Sequence, residues 1–281
     1  MPRTPILDDH VHLHPDGRNV EAVKDFGREG GTHLILSHLP YESVPIVRAE
    51  DFMESYRITL RLAERCRRET EVGVDVTVGP YPVILLSLAE RNGLEGGVEI
   101  MRKGMEAAQK LVLEGLAVGI GEIGRPHFPV PSEVLEASNE IMSYGMQLAK
   151  EASCPVVLHT ESATPESMRE IALMADRVGL PRGKVVKHYC PPLVTDEESS
   201  GLFPSVLASR TAVTEALSKG TRFLMETDFL DDPSRPGAVM AITTVPKRTK
   251  AFLSSGRMSE SQAYAIHQEN PRQVYGIETG P

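Results

Sequence analysis

The sequence is poor in sulfur and aromatic residues. Its 281 residues include three cysteines and no tryptophan, and aromatic residues make up 5% of the chain. The cysteines, Cys66, Cys154 and Cys190, form no CxxC pair. This sparse, odd-numbered set excludes a disulfide framework, so we predict that the protein works in a reducing compartment, the cytoplasm. The lack of a CxxC pair also disfavours a thiolate zinc site.

Long apolar runs and an excess of positive charge are also missing. No run approaches the ~20 apolar residues that span a membrane, and the first residues lack an apolar signal core. Thirty basic residues stand against 39 acidic ones, a net charge of −9. We therefore expect no membrane partner and no DNA-coating role, since both need attraction to anionic surfaces. The oligomeric state stays open.

A glycine-rich phosphate loop is absent as well, which disfavours the alternative fold, an open doubly wound sheet that binds nucleotides. Instead, eight short apolar runs alternate with amphipathic segments at helical spacing. The runs predicted as strands are 6–13, 33–39, 72–78, 116–123, 155–160, 184–189, 205–208 and 222–227. Such alternation predicts a parallel sheet, and at this length a single-domain (β/α)8 TIM barrel over residues 1–281.

The intervening amphipathic segments predict the helices of this barrel. They cover 20–29, 51–70, 94–114, 132–153, 165–178 and 210–218, with one or two closing helices in 259–275. The helix at 165–178 has the clearest start, because Thr164 is a good N-cap and Pro165 suits the first helical position.

Potential metal ligands end most of the predicted strands. Active sites of barrels lie at the carboxyl ends of the strands. The residues in question are His10, His12, His38, Glu122, His159, His188 and Asp228. His10 and His12, two apart on a strand, point to the same face. Glu122 ends a glycine-rich run, where a buried carboxylate is costly unless it is paired or metal-bound.

Each of these residues alone has a plainer interpretation as a hydrogen-bonded or salt-bridged residue at a strand end. Apart from His38, the set holds four imidazoles and two carboxylates, which suit zinc, with manganese or magnesium as alternatives. Six ligands exceed what one catalytic zinc needs, so we predict two metal ions roughly 3.5–4 Å apart. By strand alternation Glu226 shares the face of Asp228 and is expected to support the site.

Several short motifs resemble TatD-type metal-dependent hydrolases, which are deoxyribonuclease-like members of the amidohydrolase superfamily. The resemblance spans nearly the whole chain and depends on the order of the motifs. These are Asp8-Asp9-His10-Val11-His12-Leu13, Ile120-Gly121-Glu122-Ile123-Gly124, Pro155-Val156-Val157-Leu158-His159, Glu226-Thr227-Asp228 and the segment 269–276.

The resemblance implies a ligand set and a mechanism. His10, His12 and Asp228 would hold one metal ion, His159 and His188 the second, and Glu122 would bridge them. A metal-activated hydroxide would then hydrolyse a phosphodiester or another ester. Asp228 would take the proton of the water as general base, so that Asp228 and Glu122 are the predicted catalytic residues.

The chain departs from the family pattern around the predicted substrate. Nucleases of the family have an arginine shortly after the fifth-strand histidine, whereas this chain has Glu161, expected near the metals on the face of His159. A carboxylate there would repel a phosphodiester. Arg125 follows the fourth-strand motif and is expected to restore an anion contact, and His38 to contact substrate. His14 is expected to lie outside the site, and three further histidines are predicted as surface or structural residues, namely His33, His127 and His267.

These departures leave three hypotheses for the function. The first is hydrolysis of a phosphodiester or other ester, with a small molecule or a nucleic-acid end as substrate. The second is hydrolysis of a cyclic amide or lactone by the same fold. The third is a metal-binding protein without catalysis, which the presence of a plausible base at Asp228 disfavours. The barrel fold alone does not decide among them.

Overall fold

The parallel sheet is the centre of the fold. The computed structural model of the chain describes residues 4–280. Its nine strands are β1 (Leu7–His12), β2 (His33–Ser37), β3 (Gly73–Val78), β4 (Gly119–Gly124), β5 (Val156–His159), β6 (Val185–Cys190), β7 (Phe203–Leu207), β8 (Leu224–Glu226) and β9 (Phe229–Leu230). They are hydrogen-bonded in the order β8-β7-β6-β5-β4-β3-β2-β1-β9.

The last two strands close this sheet. β8 pairs in parallel with β7, with Leu207 opposite Glu226, and β9 pairs in parallel with β1, with Val11 opposite Phe229. Only Thr227 and Asp228 separate β8 from β9, so together they are one interrupted strand between β7 and β1. The predicted (β/α)8 architecture is confirmed, although the eighth strand is split and extends beyond its predicted end.

Helices connect the strands and cover their outer faces. They are α1 (Val20–Arg28), α2 (Ala49–Glu69), α3 (Ile84–Leu113), α4 (Ser132–Glu151), α5 (Pro165–Val178), α6 (Asp196–Ser199), α7 (Arg210–Lys219), α8 (Thr244–Ser254), α9 (Glu260–Tyr264) and α10 (Asn270–Tyr275). α3 begins ten residues before its predicted start, with a break at Gly93, and α6 and α8 were not predicted. Between residues 4 and 280, no helix has both the length and the apolarity of a membrane span.

The closing helix seals one end of the barrel. Val274 and Tyr275 of α10 belong to the same buried cluster as Leu7, Val157 and Phe203, which lie in the first halves of their strands. The amino ends of the strands are therefore plugged by apolar side chains. This leaves the carboxyl ends as the accessible side of the barrel, where a site can form.

Candidate metal centre

The six predicted ligands converge at the carboxyl ends of the strands. They are His10 and His12 on β1, Glu122 on β4, His159 on β5, His188 on β6 and Asp228 between β8 and β9. The pairing register shifts at three of these places, between Asp8 and Val11, between Gly121 and Ile123, and between Lys187 and Cys190. Such irregularities re-aim side chains beside active sites, and here each one contains a predicted ligand.

Glu122 lies at the centre of the cluster. Its Oε1 is 3.0 Å from His188 Nε2, 3.1 Å from His159 Nδ1 and 3.5 Å from His10 Nε2, and its Oε2 is 3.7 Å from His12 Nε2. Two groups of three with metal-ligand spacing share this residue: His10, His12 and Glu122, and Glu122, His159 and His188. A carboxylate common to two ligand groups is the arrangement expected of a bridging ligand.

Asp228 stands at the edge of the cluster. Its Oδ1 is 3.4 Å from His12 Nε2, and 15% of the side chain is exposed, against 2% for Glu122. The backbone of Asp228 has a φ of 48°, in the left-handed region that few non-glycine residues adopt. Asp228 thus belongs with the β1 histidines and reaches the cavity above the cluster.

The electrostatics of the cluster favour ionised carboxylates. Burial acts to raise the pKa of Glu122, but His188 and His10 outweigh it and hold that pKa well below its usual range. Burial acts to lower the pKa of His188, but Glu122 and Glu226 raise it to about 10. Negative charge and imidazole nitrogens therefore concentrate in one largely buried cluster, and these donors suit divalent cations, which displace protons from such ligands.

Neighbouring groups orient the rings from behind. Ser37 Oγ lies 3.1 Å from His10 Nδ1, and the Ser37 carbonyl oxygen lies 2.9 Å from His12 Nδ1. Glu226 Oε1 lies 3.3 Å from His188 Nδ1. Contacts of this kind leave the opposite ring nitrogen directed at the ligand position.

Sequence reasoning missed two residues that touch His159. His127 Nδ1 lies 2.8 Å and the Tyr81 hydroxyl 3.4 Å from His159 Nε2. His127 is exposed, as predicted, but it is also part of the site. Both residues follow a strand by a few positions instead of ending it, so a search of strand ends passes over them.

The three predicted substrate contacts have other partners. His38 is 1% exposed, with Nδ1 2.8 Å from Thr59 Oγ1 and Nε2 3.4 Å from Ser55 Oγ. The side chain is enclosed by α2, and its contact with substrate stays a prediction. Burial acts to lower the pKa of His38 to about 3, so the ring is neutral.

Arg125 and Glu161 bond to each other. Arg125 is 4% exposed and donates from Nη2 to Glu161 Oε1 (2.6 Å) and from Nε to Glu161 Oε2 (2.8 Å). Arg125 Nη1 also donates to Glu170 Oε1 and Asn139 Oδ1. Arg125 is therefore a buried clamp between loops and helices, not a free anion contact. Glu161 lies at the cavity edge with its charge neutralised, so its predicted repulsion of a phosphodiester is largely removed.

Glycine permits the close approach of β4 and β5 at Glu122. A Cβ on Gly121 would lie 2.6 Å from Val157 Cβ, and one on Gly124 would lie 2.1 Å from the His159 carbonyl oxygen. Gly124 also has a φ of 141°, which L side chains rarely adopt. The absence of a side chain at Gly121 and Gly124 therefore makes room for this close packing.

A cavity of about 250 Å³ opens above the cluster. Its walls include His12, Glu122, His159, His188 and Asp228, together with Tyr81 and Arg235. Two further hollows continue from it, one along Glu161, Lys187 and Tyr189 and the other along His14, Tyr41 and Asp232. The candidate ligands are therefore accessible to a small molecule or to one end of a longer one.

The fold and the site together define a class: barrel proteins with a cluster of histidines and carboxylates at the carboxyl ends of the strands. Within this class, the chain belongs to the family described as TatD related DNase, whose model matches residues 7–276. A relative from Methanocaldococcus jannaschii, the uncharacterized protein MJ1127, is 38% identical over 277 residues, covering 98% of this chain and 96% of the relative.

Solved structures support the same fold. A TatD homolog from Escherichia coli, YJJV, superposes with a TM-score of 0.66 at 19% identity, covering 97% of this chain and 98% of that one. The TatD-like protein of Archaeoglobus fulgidus has a TM-score of 0.62 at 19% identity, with coverage of 96% and 100%. The phosphotriesterase homology protein of Escherichia coli, complexed with phosphate, has a TM-score of 0.60 at 14% identity, with coverage of 98% and 100%.

Proposed function

We propose that the protein hydrolyses phosphodiesters or related esters with two divalent metal ions, zinc in preference to manganese or magnesium. The observation that carries this proposal is the sharing of Glu122 by two groups of metal-ligand spacing. His10, His12 and Asp228 would hold one ion, His159 and His188 the other, and Glu122 both. Imidazole and carboxylate donors in this number fit two such ions.

When bound, the two ions would polarise the scissile ester and ease deprotonation of water. The protein's own groups then have separate tasks. Asp228, the most exposed carboxylate of the cluster, accepts the proton of the attacking water as general base. Tyr81 and His127 hold the His159 ring through Nε2, which keeps Nδ1 directed at Glu122.

Two features support an anionic substrate. Arg235 lines the cavity above the cluster, while its Nε donates to Asp232 Oδ2 (2.9 Å). The planar guanidinium in this place can donate two hydrogen bonds to two charged oxygens of a phosphate. Glu161, whose negative charge would repel a phosphodiester, forms an ion pair with Arg125 (2.6 Å). We therefore rank a phosphodiester above the cyclic amide and lactone hypotheses.

Metal content tests the proposal first. Protein stripped with chelator and reloaded with zinc or manganese should bind about two ions per chain, and replacement of both His159 and His188 by alanine should leave about one. His33→Ala is the matched control, because His33 pairs with Asp75 (2.8 Å) outside the cluster and should leave the content unchanged. A chain that binds no metal after reloading would overturn the proposal.

Activity tests it second. The loaded protein should hydrolyse bis(p-nitrophenyl) phosphate or a short oligonucleotide, and Arg235→Ala should raise KM more than it lowers kcat, since Arg235 acts in binding. If the loaded protein hydrolyses a lactone or a cyclic amide but no phosphate ester, the protein is a cyclic amide or lactone hydrolase instead.

A further inference from the structure

One of the two hollows beside the candidate metal centre has a largely apolar wall. This side hollow is lined by residues from 12–16, 39–42 and 230–235 and has a volume of about 320 Å³. It shares His12, Leu39, Leu230 and Arg235 with the cavity above the cluster. A ligand held over the metal centre can therefore extend into the side hollow.

Two leucines form the passage between these spaces. Leu39 and Leu230 line both the cavity above the cluster and the side hollow. Leu13 and Tyr41, which are 3% and 4% exposed, continue the apolar wall. The Tyr41 hydroxyl lies 2.9 Å from Thr59 Oγ1. Because the hydroxyl is engaged there, Tyr41 offers ring carbons to the side hollow.

Two carboxylates of the side hollow are engaged with the loops that form it. Asp231, 5% exposed, accepts hydrogen bonds from two backbone N–H groups of the loop between β1 and α1, at 2.9 and 2.7 Å. Asp232 accepts hydrogen bonds from Ser234 N (2.8 Å), Ser234 Oγ (2.6 Å) and Arg235 Nε (2.9 Å). These carboxylates hold the wall together, which leaves its apolar part for contact with a ligand.

The charge of the side hollow disfavours a second phosphate. Among the described residues, four carboxylates line it, those of Asp16, Glu42, Asp231 and Asp232, against the guanidinium of Arg235. The side chain of Asp16 is 88% exposed, and Glu42 is exposed as well. A nucleic-acid strand that continued from the metal centre into the side hollow would bring its next phosphate against this excess of negative charge.

We propose that the side hollow is a substrate subsite for one uncharged, apolar or aromatic arm of a phosphodiester, and that Leu39 and Leu230 set the preference for such an arm. This inference rests on the proposed phosphodiester hydrolysis, which places the phosphate over the metal centre and beside Arg235. It narrows the substrate to small diesters with one uncharged organic arm, in preference to a continuing nucleic-acid strand. The volume of about 320 Å³ lies at the lower end of small-molecule pockets, so the arm is small.

The first experiment compares phenyl and methyl p-nitrophenyl phosphate as substrates of the zinc-loaded protein, because the two share a leaving group and differ in the other arm. We expect kcat/KM to be roughly 10-fold or more higher for the phenyl ester, the factor expected from burying a ring-sized apolar group. Leu39→Gln should reduce this preference severalfold, since it makes the passage polar at similar size. Leu113→Gln is the matched control, because Leu113 is 67% exposed at the end of α3, and it should keep the preference.

The second experiment adds charge to the arm. Thymidine 5′-(p-nitrophenyl phosphate) is compared with the same compound carrying a 3′-phosphate. We expect the added phosphate to lower kcat/KM by roughly 3–10-fold at low ionic strength and by less at high salt, which screens exposed charges.

Variants of exposed carboxylates locate this charge effect and do not disturb the core. Asp16→Asn combined with Glu42→Gln should remove most of the penalty for the 3′-phosphate. The matched control combines Glu71→Gln with Glu114→Gln. These two exposed residues follow α2 and α3 and precede β3 and β4, so they lie at the opposite end of the barrel and should leave the penalty unchanged.

Binding tests the side hollow without turnover. Phenyl phosphate and methyl phosphate are titrated by calorimetry into zinc-loaded and chelator-treated protein. Phenyl phosphate should bind roughly 10-fold more tightly, with a negative heat-capacity change that marks apolar burial. Leu39→Gln should weaken this preference, and far-UV circular dichroism checks that the variant is folded.

Three results would overturn the inference. Equal kcat/KM for the phenyl and methyl esters, with equal affinities for the two phosphates, would show that no apolar arm enters the side hollow. A preference that folded Leu39→Gln retains in full would place the arm elsewhere. A higher kcat/KM for the 3′-phosphorylated compound would show that the side hollow accepts a continuing strand. If no phosphate ester is hydrolysed but phenyl phosphate is preferred and Leu39→Gln loses that preference, the proposed function fails and the subsite stands.

Discussion

His267 should make the stability of this protein depend on pH between about 4 and 6.5. The side chain is 0% exposed. Its Nδ1 lies 3.1 Å from the Leu7 carbonyl oxygen and 3.2 Å from the Leu7 nitrogen, and its Nε2 lies 2.9 Å from Thr249 Oγ1. Burial lowers the pKa of His267 from 6.5 to about 4, while the hydrogen bond to the Leu7 carbonyl oxygen acts to raise it.

The direction of this pH dependence follows from which state, folded or unfolded, binds the proton of His267 more tightly. The unfolded chain protonates His267 near pH 6.5 and the folded chain only near pH 4, so the full stabilisation is present above pH 6.5. As the pH falls through this window the unfolded state gains protons first, and stability is lost. A shift from 6.5 to about 4, at about 1.4 kcal/mol per pKa unit, corresponds to a loss of about 3 kcal/mol.

The variant His267→Gln tests this magnitude, since glutamine does not titrate. Urea unfolding followed by far-UV circular dichroism suits a chain without tryptophan. The wild type should be more stable at pH 7 by about 1–2 kcal/mol, the value of the lost hydrogen bonds, and this advantage should vanish or reverse near pH 4. Thr249→Val, which keeps the imidazole, should retain the pH dependence of the wild type. Parallel curves for the wild type and His267→Gln would refute the reasoning.

Two further predictions concern the candidate site. Asp228→Asn should keep most of the bound metal but lower kcat by roughly 10²–10⁴-fold, because an amide can coordinate a metal but is a poor base. Metal analysis and measurement of kcat test this prediction. A full metal content with a normal kcat would show that Asp228 is not the general base. Glu161→Arg would place a second cation against Arg125, so we expect the free energy of unfolding to fall by about 1–3 kcal/mol, measured by thermal unfolding. The position of Glu161 on the face of His159 would instead predict higher phosphodiesterase activity in this variant. Higher activity at an unchanged melting temperature would contradict our expectation.

The sequence by itself determined the barrel and the main candidate ligands. Strand and helix periodicity is a local property, and the carboxyl end of a strand can be read from where an apolar run stops. For this reason the sequence alone indicates the candidate ligands His10, His12, Glu122, His159 and His188. Their order along the chain, together with the terminal Glu226-Thr227-Asp228, was sufficient to indicate the family.

Only the tertiary structure decided which other side chains meet at the site. Arg125 and Glu161 are 36 residues apart, and His127 and His159 are 32 apart, so their contacts depend on how two βα loops pack. His38 ends an apolar run just as the ligands do, yet α2 covers it through Ser55 and Thr59. Periodicity describes one element at a time, whereas partners and solvent access arise where elements pack against each other, and this is where the sequence-based expectations needed correction.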